Sequence, residues 1–141
     1  MCHRSGAGNL SLVLGLPQRD AMTKEQYYAE GMELFAQDKT DEAIAAYEKA
    51  LAQDPNYADA LHALAMVYAS VEKLDEAIEV GQRLIKANPE DELAHTSLSI
   101  FYQRKGMIAE AEKIGAKART LGWKRELEEM KQAKQSESEK N

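Results

Sequence analysis

A pattern that recurs every 34 residues is the feature that most constrains how this chain can fold. The pair Glu42-Ala43 returns as Glu76-Ala77 and again as Glu110-Ala111, and Asp54-Pro55 returns as Asn88-Pro89. A unit of this length cannot bury its apolar face alone, so neighbouring units must stack to form a continuous core. The sequence therefore predicts a stack of similar units.

Each unit reads as two helices separated by a polar break. Residues 23–26 have the pattern of a capping box, in which the side chains of Thr23 and Gln26 satisfy free backbone N–H groups at a helix start. Residues 37–40 interrupt the apolar periodicity, and Pro55 ends the next helix because the residue before a proline is pushed out of helical geometry. With only 3 prolines and 8 glycines and abundant alanine and glutamate, the chain is predicted to be all-α.

Small residues recur at matching positions in both halves of each unit. They are Gly31 with Ala43, Ala65 with Ala77, and Ser99 with Ala111. With this spacing and the closing prolines Pro55 and Pro89, the sequence resembles the tetratricopeptide repeat (TPR) family, whose pattern has small residues where the two helices of a repeat cross. The resemblance implies a right-handed α-solenoid of three helix–turn–helix repeats, residues 24–57, 58–91 and 92–125, with a C-terminal capping helix. We expect a flexible leader over residues 1–22, a repeat domain over 23–134 and a disordered tail over 135–141.

Two features depart from the family pattern. The aromatic residue expected in each second helix is Tyr47 in the first repeat but Gly81 and Gly115 in the others, which we interpret as tighter helix packing. The third repeat has the segment Leu121-Gly122-Trp123 where the other repeats close with proline. We expect the glycine of this segment to end a helix in left-handed geometry, and its tryptophan to open the capping helix over residues 124–134.

Composition and charge argue against several classes of function. No apolar run approaches the roughly 18 residues that a membrane-spanning helix needs, so membrane insertion is not expected. Cys2 is the single cysteine, which rules out an intramolecular disulfide and a cysteine-rich metal site. The net charge of −6 is unsuited to phosphate backbones, so nucleic acid is not an expected partner.

Candidate catalytic groups are few. His3, His62 and His95 are the only side chains that ionise near neutral pH without a large pKa shift. No Ser/His/Asp or Cys/His arrangement and no glycine-rich phosphate loop accompanies them. Two histidines in successive repeats do not make a metal site. We therefore predict no catalytic residue, no cofactor and no metal, and a protein that is not an enzyme.

The resemblance implies instead a concave groove, lined by the first helix of each repeat, that holds peptides or helices of partner proteins. A Met and aromatic stripe by itself more often belongs to a core, but these helices carry a second apolar stripe that fits the core better. That core stripe is Tyr27, Leu34, Leu61, Leu64, Tyr68, Leu98 and Tyr102. The predicted partner-binding residues, which helical spacing places on one face, are Tyr28, Met32, Phe35, His62, Met66, Ser70, Thr96, Ile100, Gln103 and Arg104. Such a groove should prefer an apolar or amphipathic segment.

One subclass of the family can be discounted. TPR proteins that bind chaperone tails carry a carboxylate clamp of lysine, asparagine and arginine side chains on the concave face. At the corresponding positions this sequence has Tyr28, Met32, Ala63, Leu93 and Ser97. An acidic C-terminal carboxylate is therefore not the expected ligand.

The first 21 residues differ from the repeats and leave a second function open. They contain a short apolar run from Leu10 to Leu16, and residues 17–20 are a poor signal-peptide cleavage site, so a cytoplasmic location is expected. The natural start could equally be Met22. The alternative function is a self-associating scaffold, a homo-oligomer whose groove is filled by this apolar run or by another copy.

Charge is divided between the repeats. Residues 24–91 carry a net charge of −9, and residues 92–125 carry a net charge of +4. This division favours a dipolar partner bound in one orientation, or head-to-tail stacking of copies.

Overall fold

Six helices make up the part of the chain that the computed structural model describes, residues 22–140. They are α1 Lys24–Ala36, α2 Thr40–Gln53, α3 Ala58–Ser70, α4 Leu74–Ala87, α5 Glu92–Lys105 and α6 Ile108–Lys140. The helices pack as three pairs, α1 on α2, α3 on α4 and α5 on α6, and successive pairs stack through α2 with α3 and through α4 with α5. This arrangement confirms the all-α solenoid predicted from the period. No helix within residues 22–140 is long and apolar enough to cross a membrane.

The helix boundaries follow the predicted signals. The Thr23 hydroxyl accepts a hydrogen bond from the Gln26 N–H at 3.1 Å, and the Thr23 N–H donates to the Gln26 side chain at 2.8 Å, which confirms the capping box. At the ends of α2 and α4, the side chains of Asp54 and Asn88 each accept a hydrogen bond at 3.1 Å from the N–H two residues on. At each of these ends, the turn formed by the polar side chain and the proline that follows it together end the helix.

The core runs through all three pairs. Its largest fully buried side chains are Tyr47, Leu61, Val67, Leu84, Leu98 and Phe101. The predicted core stripe lies in or against it: Leu61, Leu64, Leu98 and Tyr102 are buried, and Tyr27, Leu34 and Tyr68 pack against the cluster. Fully burying a side chain of this size contributes about 1.5–3 kcal/mol, so the buried members of this stripe help to drive stacking together with the other core residues.

The small residues at the helix crossings are required by close approach. A Cβ atom on Gly31 would lie 2.5 Å from the ring of Tyr47 on α2. On α4, a Cβ on Gly81 would lie 3.1 Å from Leu98 Cδ1 of α5, which supports the interpretation that glycine allows tighter packing there. At the third crossing the Ser99 hydroxyl donates to the carbonyl of Ala111 at 2.7 Å.

The helix end predicted at Gly122 is wrong, because α6 runs without a break from Ile108 to Lys140. The equivalent positions of the other repeats hold Asp54-Pro55 and Asn88-Pro89, in which the side chain accepts the N–H two residues on and the proline has no N–H to continue the helix. Gly122 has no side chain to form such a turn, and Trp123 retains the N–H that continues the helix.

The separate capping helix predicted over residues 124–134 is therefore the continuation of α6. Residues 135–140, which we expected to be disordered, are also helical, and every residue from 123 to 140 is exposed. Cys2, His3 and the apolar run from Leu10 to Leu16 lie outside the described residues.

Candidate partner-binding face

The exposed side of α1, α3 and α5, which we call the inner face, carries one large apolar side chain at an equivalent position in each repeat. Met32, Met66 and Ile100 are 50%, 56% and 47% exposed, although α3 and α5 bury other apolar residues and α1 partly buries Leu34. Phe35, one turn after Met32, is also exposed. Fully burying such a side chain gains about 1.5–3 kcal/mol, so leaving it half exposed forgoes about half of that gain.

At the first repeat, the inner face ends in a tyrosine cluster. The half-buried ring of Tyr28 lies 6.0 Å from the ring of Tyr47 and 5.8 Å from that of Tyr57, centroid to centroid. The Lys24 ammonium lies 4.8 Å from the centre of the Tyr57 ring and donates to the Asp54 carboxylate at 2.7 Å. That hydrogen bond raises the pKa of Lys24 and lowers the pKa of Asp54. Tyr28 is therefore held in place by packing and remains partly exposed.

In the second repeat, the His62 side chain contacts Asp91, the residue directly before the first helix of the third repeat. Its Nε2 lies 2.8 Å from Asp91 Oδ2, while Asp91 Oδ1 accepts the N–H of Ala94 at 3.0 Å and so caps α5. The His95 ring is buried and contacts the backbone of Asp91, with its Nδ1 2.9 Å from the Asp91 carbonyl oxygen. Asp91 was not among the predicted site residues, although an aspartate directly before a helix is a common N-cap.

The predicted polar residues of the inner face are mostly engaged within the chain. The Ser70 hydroxyl donates to the Val67 carbonyl at 2.6 Å, and the Thr96 hydroxyl donates to the Glu92 carbonyl at 3.0 Å. Arg104 donates to the Ala69 carbonyl at 3.1 Å and forms an ion pair with Glu72. These contacts already use the polar groups of the three side chains within the chain.

Gln103 is placed differently from the rest of the predicted set. It lines a cavity between α5 and α6 together with Ser99 and Gly115, at the edge of the inner face. Thr96 also borders the α5–α6 side, where it lines a second cavity with Gly122 and Trp123.

Leu93 is an exposed apolar residue that was not predicted as a site residue. It is 58% exposed in the first turn of α5 and borders an open cleft of about 630 Å³ with Leu121, Lys124 and Arg125. The only sequence feature that could have indicated this exposure is its position next to acidic residues in the first turn of a helix. Among residues 22–140, no group of three or more His, Cys, Asp or Glu side chains could hold a metal ion.

The fold and the inner face define a helical-repeat protein built from stacked helix pairs. A family model described as tetratricopeptide repeat matches residues 34–100. A crystal structure of MamA is 35% identical, with a TM-score of 0.71, and the match covers 73% of this chain and 60% of that one. A second MamA structure is 35% identical with a TM-score of 0.70, covering 75% and 58%. This chain therefore spans less than two thirds of the MamA chains that it matches.

Two solved TPR domains of Spaghetti (RPAP3), each bound to the HSP90 peptide SRMEEVD, share the fold at lower identity. The second domain is 21% identical with a TM-score of 0.66, covering 71% of this chain and 93% of that one. The first domain is 23% identical with a TM-score of 0.68, covering 81% and 94%. No curated protein sequence matches the chain. The family model and the shared fold identify the chain as a tetratricopeptide repeat protein, as the 34-residue period predicted.

Proposed function

We propose that this protein is a non-enzymatic interaction module whose inner face binds an apolar or amphipathic segment of a partner protein. The observation that carries the proposal is the row of half-exposed side chains Met32, Met66 and Ile100, one per repeat. The tetratricopeptide fold is typically a protein-interaction fold, which supports the same reading. We also propose a cytoplasmic location, on the ground that residues 17–20 make a poor cleavage site.

The binding mechanism is burial of the partner's apolar side chains against Met32, Phe35, Met66 and Ile100. Methionine suits this role because its unbranched, polarisable side chain adapts to differently shaped ligands. His62 and Arg104 supply a polar rim whose positions are fixed by Asp91 and Glu72. A helix laid along the row would contact it with residues at i, i+3, i+4 and i+7.

The proposed ligand differs in chemistry from the acidic peptide seen in the two RPAP3 domains. The positions that correspond to a carboxylate clamp hold Tyr28, Met32, Ala63, Leu93 and Ser97, none of which is cationic. Binding would therefore come from apolar contact, and a partner segment without a free carboxylate terminus should serve.

The variant Met66→Asp tests this function. We expect it to lose the partners that the wild-type chain captures in affinity purification with mass spectrometry, because a carboxylate at the centre of the row cannot be desolvated cheaply. The matched control is Met130→Asp, which makes the same change at a 65% exposed methionine on α6. Identical partner sets for wild type and Met66→Asp, with both proteins folded by circular dichroism, would contradict the proposal.

The alternative predicted from the sequence, filling of the groove by residues 10–16 or by another copy, depends in part on residues outside the described range. It stays a prediction. Light scattering on the full chain and on a chain that starts at Met22 separates it from heterotypic binding, because a monomer in both cases excludes self-association through the leader.

A further inference from the structure

The second half of α6 projects beyond the repeats. Near the start of α5, Gly122 and Arg125 of α6 lie against Glu92. From there to the end of α6, every residue from 123 to 140 is exposed. Most helical stability in proteins comes from packing of an amphipathic face, so a surface that covers this segment would stabilise it.

One side of the projecting segment is apolar. Trp123, Leu127 and Met130, which we call the α6 stripe, are 69%, 45% and 65% exposed and share one side of the helix at spacings of four and three residues. At about 100° per residue, this side lies about 120–180° round the helix from the buried Ala118 and Leu121, which border α5. The α6 stripe therefore faces away from the repeats of its own chain.

The α6 stripe has the spacing of the first helices that form the inner face. Seven residues of a helix rise by about 10.5 Å, and helices packed side by side lie about 8–10 Å apart. Since α1 packs beside α3, a helix laid across them can set Trp123 on one and Met130 on the other. The inner face has room for these side chains, because the residue three before each exposed Met or Ile is small, namely Ala29, Ala63 and Ser97.

One edge of the inner face carries two carboxylates at the same spacing. Glu25 and Asp59 occupy equivalent positions in the first turns of α1 and α3, and neither forms an ion pair within residues 22–140. Burial first, then the charges of Asp59 and Glu25, raise the pKa of Tyr57, so both carboxylates lie near that ring. The neighbouring Lys24 is bonded to Asp54. This edge therefore favours a cationic ligand.

A matching pair of cations flanks the α6 stripe. Lys124 and Lys131 are seven residues apart on the same side of the stripe, so they can face Glu25 and Asp59 together. Their ion pairs within the chain, with Glu90 at 3.8 Å and with Glu128 at 3.6 Å, are long and exposed. Such pairs are weak and can exchange for others.

We propose that the inner face of one copy of this chain binds the α6 stripe of a second copy. The inference rests on the proposed function of the inner face and names its occupant, which fits in spacing and in charge. Each copy gives its α6 to one neighbour and receives the α6 of another, so the contact is heterologous and copies add head to tail. Because the α6 stripe faces away from its own repeats, the donor's repeats stay clear of the face that receives it.

The first experiment follows association of the full chain by sedimentation velocity across a dilution series. We expect concentration-dependent oligomers of the wild type. Met66→Asp on the inner face and Met130→Asp on the α6 stripe should each weaken association by at least about tenfold, because each puts a carboxylate into an apolar contact. The control Ile108→Asp changes an exposed apolar residue of α6 outside the stripe and should associate as the wild type does. A monomeric wild type, or a Met66→Asp chain that associates as tightly, overturns the proposal.

Mixing the two variants separates head-to-tail contact from any symmetric pairing. Met130→Asp retains an intact inner face and Met66→Asp retains an intact α6 stripe, so the mixture should form a 1:1 complex that grows no further. A mixture that stays monomeric overturns the proposal. Association that persists in Met130→Asp but disappears when residues 1–21 are removed assigns the inner face to those residues and also overturns it.

Charge reversal tests how the two copies are aligned. The pair of changes Glu25→Lys with Asp59→Lys should weaken association, as should Lys124→Glu with Lys131→Glu, and all four changes together should restore it. The matched control is Glu42→Lys with Glu76→Lys, which reverses exposed carboxylates one repeat apart on α2 and α4. A fourfold variant no tighter than either pair overturns the proposal.

This inference and the proposed function can fail separately. A monomeric wild type whose other captured partners are lost in Met66→Asp overturns the self-association alone. A Met66→Asp chain that keeps all its other partners but no longer self-associates overturns the binding of other proteins at the inner face, and supports a second copy as its occupant.

Discussion

Single residues decide how closely the two helices of each pair approach. In the first pair the small residue is Gly31 on α1 and the large one is Tyr47 on α2, where the other repeats have Gly81 and Gly115. The Tyr47 ring occupies the space that a side chain at position 31 would need, and its burial raises the pKa of its hydroxyl. The glycine is therefore a packing requirement, although it lowers intrinsic helix stability.

The variant Gly31→Ala tests this requirement because helix propensity and packing predict opposite results. Propensity alone predicts a gain of about 1 kcal/mol in the free energy of unfolding. Since the new Cβ would lie 2.5 Å from the Tyr47 ring, we expect instead a loss of about 1–3 kcal/mol in urea denaturation. In the double variant with Tyr47→Leu, adding the methyl group should no longer be destabilising relative to Tyr47→Leu alone. A more stable Gly31→Ala protein would show that the ring moves aside freely.

The sequence predicted the site less completely than the core because the contacts of individual polar side chains cannot be derived from periodicity. Apolar periodicity distinguishes the buried Leu98 from the exposed Ile100 because residues on one side of a helix are buried together, and the two side chains lie on different sides. It does not reveal that the Ser70 and Thr96 hydroxyls bond to their own helices, or that Gln103 lines the α5–α6 cavity. The hydroxyl bonds are local and depend on side-chain rotamers that periodicity does not specify. The place of Gln103 and the link from His62 to Asp91 depend on neighbours that the packing brings together.

Among the helices, α6 differs from the others because the signal that ends α2 and α4 is missing. The capping box, the polar break at residues 37–40 and the two prolines predicted the bounds of α1 and the ends of α2 and α4. The sixth was predicted to stop at Gly122 because glycine commonly follows a helix. A glycine alone proved insufficient without the turn-forming side chain and the proline that Asn88-Pro89 provides.

Transplanting that stop signal should divide α6. In the double variant Gly122→Asn with Trp123→Pro, we expect faster amide hydrogen exchange over residues 122–127, because proline clashes with the preceding turn and leaves N–H groups without partners. Hydrogen exchange with mass spectrometry measures this directly. Gly122→Ala is the control and should keep or increase protection, because alanine favours the helix. Unchanged protection in the double variant would mean that packing against α5, rather than the missing stop signal, keeps α6 continuous.

Across the whole molecule, some of the charges of the acidic second repeat and the basic third repeat pair with one another. Three cations of the third repeat, Arg104, Lys105 and Lys124, form ion pairs with Glu72, Asp75 and Glu90 of the second. The acidic and basic regions therefore meet at the α4–α5 junction, where opposite charges attract. The division of charge in the sequence favoured a dipolar partner. In the structure, some of these charges instead pair with charges of the neighbouring repeat in the same chain.

This junction should make stability depend on salt. Exposed ion pairs contribute about 0–1 kcal/mol each and are screened as ionic strength rises, so sodium chloride should lower the free energy of unfolding by about 1 kcal/mol in total. The double variant Arg104→Gln with Lys105→Gln should be less stable at low salt and should lose much of the salt dependence. Arg83→Gln is the matched control, because Arg83 is an exposed α4 cation that bonds to the Pro55 carbonyl instead of a carboxylate. Equal salt dependence in the wild type and the double variant would show that the two charged regions do not hold the repeats together.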